Sequence, residues 1–554
     1  MSTAESYLQR GADLFARGEL SAAAAAFAAA AELAPAVWQT HYNLGMCHDR
    51  LGQWEAALTA YQEAHRLAPT EIACITNLAA CAFNLGQYEQ ALQLALRHVQ
   101  LEPLNPLAYD NLGQIFQRLG QYDSAAQSFR NALMLAPEHP AIHNNLGLLL
   151  QSQDQTEEAR QSFLKALELA PGHVDAITNL GALHLAQGEV EAALERYRQA
   201  LVLTPDSAAA WTNLGNAQKA AGCYAEALAA HQKAVALAPQ YALAHWNLAL
   251  TLLAAGQLQA GWSEYEWGPA VGTRTRFANR LPRWQGEALG KRHLLLRAEQ
   301  GLGDTLQFCR FIPQLQKLAP HITLECPASL VPLLRQLPGL ATVVPQGPDL
   351  PEDAWGCDCY LPLMSLPHVL HVGLEDLPGT MPYLKAPAER LPWWQQQLGR
   401  RRGLRVGLAW AGNPAHPNDR WRSCPPADMA VLGEIRGVEF ISLQLPPSAP
   451  PLPLRNLAAD IGDFADTAAI VAELDLVISV DTAIIHLAGA LGRPAWLLLA
   501  ADADWRWLRE RQDSPWYPSL RLYRQKMPGQ WLPVLEAVAK DLSNLAGGVI
   551  TPRA

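Results

Sequence analysis

Over residues 1–268 the hydrophobic and polar positions repeat with a period of 34 residues. A proline occupies the same place in every period, at Pro35, Pro69, Pro103, Pro137, Pro171, Pro205 and Pro239. A glycine keeps the same step at Gly18, Gly52, Gly86, Gly120, Gly188, Gly222 and Gly256, and Asp154 stands in the one place without it. Glycine permits a tight turn and proline cannot continue a helix. Each period therefore predicts a helix, a glycine turn and a second helix that the proline ends.

The second predicted helix of most periods carries a large aromatic residue, at Phe27, Tyr61, Phe129, Phe163 and Tyr197. The alanine-rich stretch "SAAAAAFAAAA" (21–31) predicts a close-packed helix of the first period. This period, with its small, aromatic and proline positions, resembles the tetratricopeptide repeat. The resemblance implies an all-α superhelix of about seven to eight repeats over residues 1–268, with a concave groove that binds protein partners.

An asparagine recurs in the first helix of each repeat, although its amide competes with helical backbone hydrogen bonds. The seven positions are Asn43, Asn77, Asn111, Asn145, Asn179, Asn213 and Asn247. Two interpretations are open: the amides brace the neighbouring repeat, or they line the groove and bind the backbone of an extended peptide. A ladder of this kind resembles the repeat domain of eukaryotic O-GlcNAc transferases, which implies a protein or peptide acceptor.

The 34-residue rhythm stops at residues 269–290, which we interpret as a linker. Beyond it, apolar runs that predict buried strands cover residues 292–298, 321–326, 341–345, 357–363, 404–412, 438–445, 474–480 and 493–500. Strands that alternate with helices predict parallel sheets. We expect two Rossmann-like halves, over residues 291–400 and 401–554, with ligands beyond the carboxyl ends of the strands.

Three loops at predicted strand ends carry the candidate chemistry. The first, "AEQGLGDTLQFCRFIP" (298–313), turns at Gly301 and Gly303 and opens a helix at Asp304. A carboxylate in that place is also an ordinary cap that complements the helix dipole. Asp304 is therefore either a functional carboxylate or a structural cap.

The second loop, "WAGNPAHPNDRWRSCP" (410–425), is rich in polar side chains: Asn413, His416, Arg420, Arg422 and Ser423. Two arginines and a hydroxyl suit a diphosphate, because a guanidinium stays charged and binds oxyanions in a fork. The alternative is a solvated surface loop.

The third loop, in "ISVDTAIIHLAGALGRP" (478–494), places Ser479, Asp481 and Thr482 at a strand end and His486 in the helix that follows. The free amides and positive dipole of a helix N-terminus favour a phosphate. The alternative for His486 is a packed side chain on an apolar helix.

The motifs "GLGD" (301–304) and S-V-D-T-x-x-x-H-L-A-G-A-L-G-R-P (479–494) resemble glycosyltransferases related to ADP-heptose:lipopolysaccharide heptosyltransferases. The resemblance implies the GT-B fold and a metal-independent reaction without a cofactor, in which a UDP- or ADP-linked sugar is the co-substrate. It implies that Asp304 is the general base. It implies that Asp481, Thr482 and His486 lie on the donor-binding turn. Taken with the strand-end loops above, the candidate donor-binding residues are Gly301, Gly303, Asn413, Arg420, Arg422, Ser423, Ser479, Asp481, Thr482 and His486. These relatives usually carry a lysine where this sequence has Arg420 and Arg422.

The tail at residues 501–525 is rich in tryptophan and arginine, at Trp505, Arg506, Trp507, Arg509 and Trp516. We expect most of these side chains to pack against the first Rossmann-like half. The alternative for one or two of them is to stack on a sugar or a base. Asp502 and Asp504 form a D-x-D pattern. We predict no metal site there, because enzymes of the GT-B fold use arginines and helix dipoles where others use a divalent cation.

Charge and composition limit the classes of partner that the chain is expected to bind. Of the formal net charge of −10, residues 1–268 carry −12, from 13 basic and 25 acidic residues. An acidic repeat region argues against nucleic acid as a partner. No apolar run is long enough for an integral membrane segment, and the start lacks the pattern of a signal peptide, so a cytoplasmic location is expected. Nine scattered cysteines are expected to be free thiols.

The sequence therefore predicts a glycosyltransferase that moves a sugar from a nucleotide-diphosphate sugar to a hydroxyl acceptor. A protein Ser or Thr presented by the repeats is the natural acceptor, as the resemblance to O-GlcNAc transferases implies. Two alternatives are open. One is a protein-interaction scaffold with an inactive GT-B region, and the other is a transferase directed at cell-envelope polysaccharide or lipopolysaccharide.

Overall fold

The structure is a computed structural model that describes residues 3–277, 281–347, 355–415, 419–445 and 452–549. The chain forms two compact units, Met1–Asn213 and Leu214–Ala554. The boundary lies inside one helix of the repeat region, so the last repeats belong to the same compact unit as the sheets.

The first unit is built from pairs of helices of nearly constant length. They are α1 (Thr3–Ala16), α2 (Leu20–Leu33), α3 (Trp38–Arg50), α4 (Trp54–Leu67), α5 (Ile72–Asn84), α6 (Tyr88–Leu101), α7 (Pro106–Arg118), α8 (Tyr122–Leu135), α9 (Pro140–Ser152), α10 (Thr156–Leu169), α11 (Val174–Ala186), α12 (Val190–Leu203) and α13 (Ala208–Ala220), which crosses the unit boundary. The predicted all-helical repeat region is confirmed.

The turns between paired helices follow the sequence pattern. Each repeat glycine has a positive φ, for example +71° at Gly120, and Asp154 adopts the same conformation with a φ of +58°. The residue before each repeat proline leaves the helical conformation, as at Ala136 with a φ of −139° and a ψ of 76°. Proline disfavours the helical conformation of the residue before it, so each second helix ends there.

Pairs of helices approach closely where a glycine faces an aromatic ring. A Cβ added to Gly147 would lie 2.6 Å from the ring of Phe163, and one on Gly113 would lie 2.7 Å from Phe129. The third repeat has alanine at both places, Ala79 and Ala95, and both are buried. The missing ring of that repeat is therefore matched by a larger residue opposite it.

The second unit begins with the rest of α13 and with α14 (Tyr224–Leu237), α15 (Ala242–Ala254) and α16 (Leu258–Tyr265). Its strands are β1 (His293–Arg297), β2 (His321–Cys326), β3 (Thr342–Pro345), β4 (Cys359–Pro362), β5 (Leu404–Ala409), β6 (Val438–Ser442), β7 (Arg455–Asn456), β8 (Leu476–Val480), β9 (Ala495–Leu499) and β10 (Leu520–Arg524). The eight predicted strands are present, whereas β7 and β10 were not predicted.

The strands form two parallel sheets. The first has the order β3-β2-β1-β4 and the second has the order β10-β9-β8-β5-β6-β7. In both, the neighbouring strands pair in parallel. The further helices of this unit are α17 (Leu302–Phe308), α18 (Val331–Leu334), α19 (Leu366–Val369), α20 (Leu391–Leu398), α21 (Asp419–Arg422), α22 (Pro426–Met429), α23 (Phe464–Ala472), α24 (Ala483–Ala490) and α25 (Leu532–Val549). A helical repeat region followed by parallel sheets is thus confirmed.

One hydrophobic core joins the last repeat helices to the sheets. Trp246, Leu253 and Trp262 belong to the same buried cluster as β1 and β8 residues. The indole N–H of Trp262 donates to the carbonyl of Val372 at 3.0 Å. The helix pair α15–α16 therefore packs in the same hydrophobic core as the first sheet.

Within the described ranges, none of the helices is both long enough and apolar enough to cross a bilayer. All nine cysteines are free, and only Cys223 is exposed.

Candidate functional site

Asp304 lies in the first turn of α17, directly after the loop that follows β1. Its Oδ2 accepts a hydrogen bond from the backbone N–H of Gly301 at 2.8 Å. The carboxylate therefore does cap this helix, as the structural interpretation expects. Its other oxygen points to the second half of the unit, and 21% of the side chain remains exposed.

The turn after β8 brings a second carboxylate to the same place. Thr482 caps α24 by accepting from the N–H of Ile484 at 3.3 Å, and the hydroxyl of Ser479 lies 3.1 Å from that of Thr482. These hydrogen bonds fix the turn that carries Asp481. The roles of Ser479 and Thr482 in this structure are thus to shape the strand end.

Gly303 allows α17 and α24 to touch. A Cβ at this residue would lie 2.9 Å from Cδ2 of His486 and 3.5 Å from the Cα of Ala483. The two predicted motifs, more than a hundred residues apart in sequence, therefore meet in one contact between the two sheets' helices.

Arg506 joins the loop after β1 to the tail of residues 501–525. Its Nη2 donates to Oδ1 of Asp304 at 2.5 Å, and its Nη1 donates to Oδ1 of Asp504 at 2.9 Å. The Nε donates to the side-chain carbonyl of Gln307 at 2.7 Å. Most side chains of the tail were expected to pack, and the place of Arg506 in the site was not predicted.

Arg422 completes the charged cluster from the loop after β5. Its Nη2 donates to the backbone carbonyl of Asp481 at 2.5 Å and lies 3.8 Å from the Oδ2 of the same residue. Burial raises the pKa of Asp481, and the charge of Arg422 opposes that shift. Burial would also raise the pKa of Asp504, but the adjacent guanidinium of Arg506 outweighs it and the pKa is lowered.

His486 is buried and connects Asp481 to a tyrosine. Its Nε2 lies 3.9 Å from Oδ1 of Asp481, and its Nδ1 lies 3.0 Å from the hydroxyl of Tyr517. Burial, with the positive charges of Arg506 and Arg310, lowers the pKa of His486 to about 3. The imidazole is therefore neutral at physiological pH, and at 3.9 Å from Asp481 it packs beside the carboxylate without a hydrogen bond to it.

Behind this histidine, a buried guanidinium lies among aromatic rings. The Cζ of Arg310 is 4.6 Å from the ring centre of Tyr517 and 4.8 Å from that of Tyr383. Its Nη1 donates to the carbonyl of Trp516 at 2.8 Å. This arrangement fixes the first half against the tail and adds positive potential beside His486.

The remaining predicted donor residues of the second loop do not join the cluster by a direct contact. The side chain of Asn413 accepts from the N–H of Ala415, and Ser423 accepts from the N–H of Gly412 at 2.9 Å. Arg420 stacks on the ring of Trp421 with its Cζ 4.9 Å from the ring centre. His416 lies outside the described residues.

No group of three or more His, Cys, Asp or Glu side chains in the described ranges has an arrangement that could hold a metal ion. Asp504 of the D-x-D pattern is instead engaged by Arg506.

Three members of the asparagine series contact the preceding repeat. The amide nitrogen of Asn77 donates to the hydroxyl of Tyr42 at 3.0 Å, and that of Asn179 donates to Oδ1 of Asn144 at 2.9 Å. The amide of Asn145 donates to both oxygens of Asp110, at 3.0 and 3.1 Å, and its carbonyl oxygen accepts from the amide of Asn144 at 3.5 Å. Each acceptor of the first three amides lies 35 residues before its donor, so these amides brace neighbouring repeats.

The other members of the series differ. Asn247 donates to the carbonyl of Leu243 in its own helix at 2.8 Å. Among the described residues, no hydrogen bond joins the side chains of Asn43, Asn111 or Asn213 to another group. All seven are half-buried, which leaves part of each amide accessible.

Comparison with known families identifies tetratricopeptide repeats in three segments. Residues 183–222 match the family described as TPR repeat, and residues 111–174 and 38–71 match two families described as tetratricopeptide repeat. Such repeats are protein-interaction modules, so the chain is expected to bind protein partners through this region.

The curated protein FlbA of Caulobacter vibrioides is 29% identical over 327 residues, which are 53% of this chain and 54% of that protein. The chain thus spans about half the length of this relative. Similar solved structures include a tetratricopeptide repeat protein from Parabacteroides merdae, 20% identical with a TM-score of 0.41 over 46% of this chain and all of that one. Another is MamA from Desulfovibrio magneticus, 22% identical with a TM-score of 0.30 over 31% of this chain and 98% of that one.

Proposed function

We propose that this chain is a metal-independent glycosyltransferase that moves a sugar from a UDP- or ADP-linked donor to a hydroxyl acceptor. One observation carries the proposal: Asp304, Arg506 and Asp481 meet where the strand-end loops of two parallel sheets face each other. Ligands of parallel sheets bind beyond the carboxyl ends of the strands, so this is the expected place for a substrate.

Asp304 accepts the proton of the acceptor hydroxyl. Each oxygen of the carboxylate uses one lone pair, on Arg506 and on the N–H of Gly301, and keeps one for a substrate. The exposed part of the side chain gives a hydroxyl access to it. A positioned carboxylate base contributes about 10²–10⁴-fold in such reactions.

The leaving diphosphate is stabilised from the second half. Arg422 and the N-terminus of α24, at Thr482, both present N–H donors at the end of β8. Positive charge and a helix dipole that are fixed before the reaction stabilise negative charge on the departing phosphate. Asp481, in the turn that Ser479 and Thr482 fix, is placed to accept hydrogen bonds from hydroxyl groups of the sugar.

The repeats present the acceptor, and a protein Ser or Thr fits a site joined to a protein-binding region. The amide carbonyls of Asn77, Asn145 and Asn179 remain as acceptors for the N–H groups of an extended peptide. Bracing of the repeats and binding of a peptide are therefore compatible, because the two roles use different atoms of one amide.

One observation favours a second candidate, a scaffold whose α/β region is not an enzyme. Asp304 has a complete structural role as a helix cap and as an ion-pair partner. A scaffold of this kind would retain these contacts without any catalysis.

Thermal denaturation in the presence of UDP, ADP and their sugar conjugates tests the proposal. A nucleotide that occupies the site at a hundred times its Kd stabilises the protein by about 2.7 kcal/mol. The nucleotide sugar that stabilises the protein is then incubated with it, and release of the nucleotide is measured. No stabilisation by any nucleotide and no release would contradict the proposal and favour the scaffold.

Asp304→Asn separates binding from reaction. We expect it to lower nucleotide release by about 10²-fold or more while leaving stabilisation by the nucleotide unchanged. Asp513→Asn is the matched control, because Asp513 is also paired with an arginine, Arg511, but lies at the surface of the tail of residues 501–525. Equal loss of binding and turnover in Asp304→Asn would contradict the role of this carboxylate as the base.

A further inference from the structure

Arg506 is the arginine of the candidate site whose guanidinium donates a side-chain hydrogen bond from every nitrogen. All three nitrogens donate, to Gln307 and Asp304 from α17 and to Asp504 from its own segment. The side chain is 8% exposed. Arg506 therefore ties the tail of the second half to the first turn of α17, more than two hundred residues away in sequence.

The plane of this guanidinium is fixed by aromatic packing. Its Cζ lies 4.3 Å from the ring centre of Trp505 and 5.8 Å from that of Phe308. The ring of Trp505 packs edge-on against Trp262, with the centroids 5.3 Å apart. The last repeat helix thus supports Trp505, and Trp505 supports the guanidinium, so its N–H groups keep one direction.

The two carboxylates that bind Arg506 differ in how much of each side chain is exposed. Asp504 keeps 36% of its side chain exposed and shares the cation with Asp304, of which 21% is exposed. A planar fork can hold two carboxylates at fixed angles, which an ammonium group cannot do. Oδ1 of Asp304 is thereby held by the cation, and Oδ2 is held by the amide of Gly301.

We propose that Arg506 is the positioning residue of Asp304, which it holds turned with its free lone pairs toward an acceptor hydroxyl. This inference rests on the proposed function. Arg506 itself touches no reacting atom. It acts by fixing the direction of the carboxylate, because its planar fork is itself held by Gln307, Asp504 and the ring of Trp505.

Two variants of Arg506 separate charge from geometry. Arg506→Gln removes the charge and the fork, and we expect kcat to fall about 10–100-fold with KM for the donor changed less than about threefold. Arg506→Lys retains the charge but not the planar fork, so we expect it to leave kcat nearly as low as in Arg506→Gln, again with little change in KM.

Arg511→Gln is the matched control. Arg511 is an arginine of the same tail that pairs with Asp513 at the surface, and its loss is expected to change neither kcat nor KM. Stabilisation by the nucleotide is measured for every variant, because an intact response shows that the second half is folded.

The outcomes distinguish this inference from the proposed function. A wild-type chain without turnover overturns both. Turnover in the wild type with the same kcat in Arg506→Gln overturns the positioning role alone. A full kcat in Arg506→Lys overturns it too, because charge without the planar fork is then sufficient. A fall in thermal stability with kcat and KM impaired together assigns Arg506 a structural role and also overturns it, whereas a fall in kcat at unchanged KM and unchanged nucleotide stabilisation supports it.

Discussion

His231 is a polar side chain at a place that other repeats give to an aromatic residue. It lies in α14, fully buried, where the equivalent positions hold Phe129, Phe163 and Tyr197. Neither ring nitrogen has a hydrogen-bond partner in the described ranges, and burial lowers the pKa of this histidine to about 4. A buried donor without a partner costs about 1–3 kcal/mol, so this position is a weak point of the repeat region.

We expect His231→Phe to stabilise the chain, by about 1–3 kcal/mol at neutral pH. The advantage should grow as the pH falls. The folded-state pKa of His231, about 4, lies below the model-compound value of 6.5. The unfolded chain therefore binds the proton first, and the wild type loses stability between pH 6.5 and about 4. Urea denaturation at several pH values measures this difference.

The control for this prediction is Tyr197→Phe, at the same place of the preceding repeat. Tyr197 is buried, and burial raises its pKa to about 12, so it does not titrate in acid. Its substitution is expected to add no acid-dependent difference. A wild type whose stability falls no faster in acid than that of His231→Phe would contradict the prediction.

At the scale of neighbouring elements, Asn145 tests whether the asparagines brace the repeats. Its amide donates two hydrogen bonds to Asp110. Burial raises the pKa of Asp110, and the hydrogen bonds from this amide oppose that shift. Asn145→Ala leaves a buried carboxylate with fewer partners, so we expect a loss of about 1–3 kcal/mol in urea denaturation.

Asn111→Ala is the matched variant, because the amide of Asn111 makes no hydrogen bond to the described residues. For this substitution, which removes no hydrogen bond, we expect the free energy of unfolding to fall by less than about 0.5 kcal/mol. If both variants lose the same stability, the contact with Asp110 is not what makes Asn145 important.

The contact between α17 and α24 makes a second prediction about elements. Gly303→Ala places a methyl group 2.9 Å from the ring of His486, in a region already packed. We expect a loss of about 1–3 kcal/mol from overpacking, and reduced turnover because Asp304 moves with α17. Thermal denaturation and nucleotide release measure the two effects. Gly290→Ala is an unsuitable control because Gly290 has a positive φ, whereas Gly172→Ala meets no atom within 4 Å and is suitable.

The repeat period makes the helices of this chain predictable, because each position is specified several times over. A glycine turn at Gly120 and a proline at Pro137 bound α8 without any knowledge of tertiary contacts. The buried strands are predictable for a similar reason, since parallel strands covered on both faces are continuous apolar runs. The two-residue β7 falls below any such pattern, and β10, in "LRLYR", alternates arginine with apolar residues within a tail that we interpreted as packing.

The candidate site could be predicted only in part. Asp304, Asp481 and His486 follow strand ends, and the structure does bring them together. Arg506 follows no predicted strand end, and its partners Asp304 and Gln307 are about two hundred residues away in sequence. Contacts of this kind depend on how two sheets pack, which local patterns do not encode. The excess of arginine and tryptophan in the tail was the available signal, and most of it was attributed to packing.

At the scale of the molecule, the end of the repeat pattern differs from the end of a folding unit. The pattern stops near residue 268, but the last repeat helices belong to the compact unit Leu214–Ala554. Leu253, Leu258, Trp262 and Tyr265 are all at most 3% exposed within the core that includes the first sheet. Full burial of one large apolar side chain stabilises a fold by about 1.5–3 kcal/mol. Together these four side chains contribute about 6–12 kcal/mol, which is comparable with the whole stability of a domain.

We therefore expect truncation at the end of the repeat pattern to unfold the α/β region. A chain of residues 268–554 lacks α15 and α16, exposes Trp505 and Phe308, and should lack a near-ultraviolet circular dichroism signal and aggregate. A chain of residues 205–554 retains α13–α16 and should show that signal and a cooperative urea transition, because its core is complete. Both chains lack the first repeats, so their difference isolates the contribution of the last ones. A folded, monomeric 268–554 chain would show that the last repeats are a separate module after all.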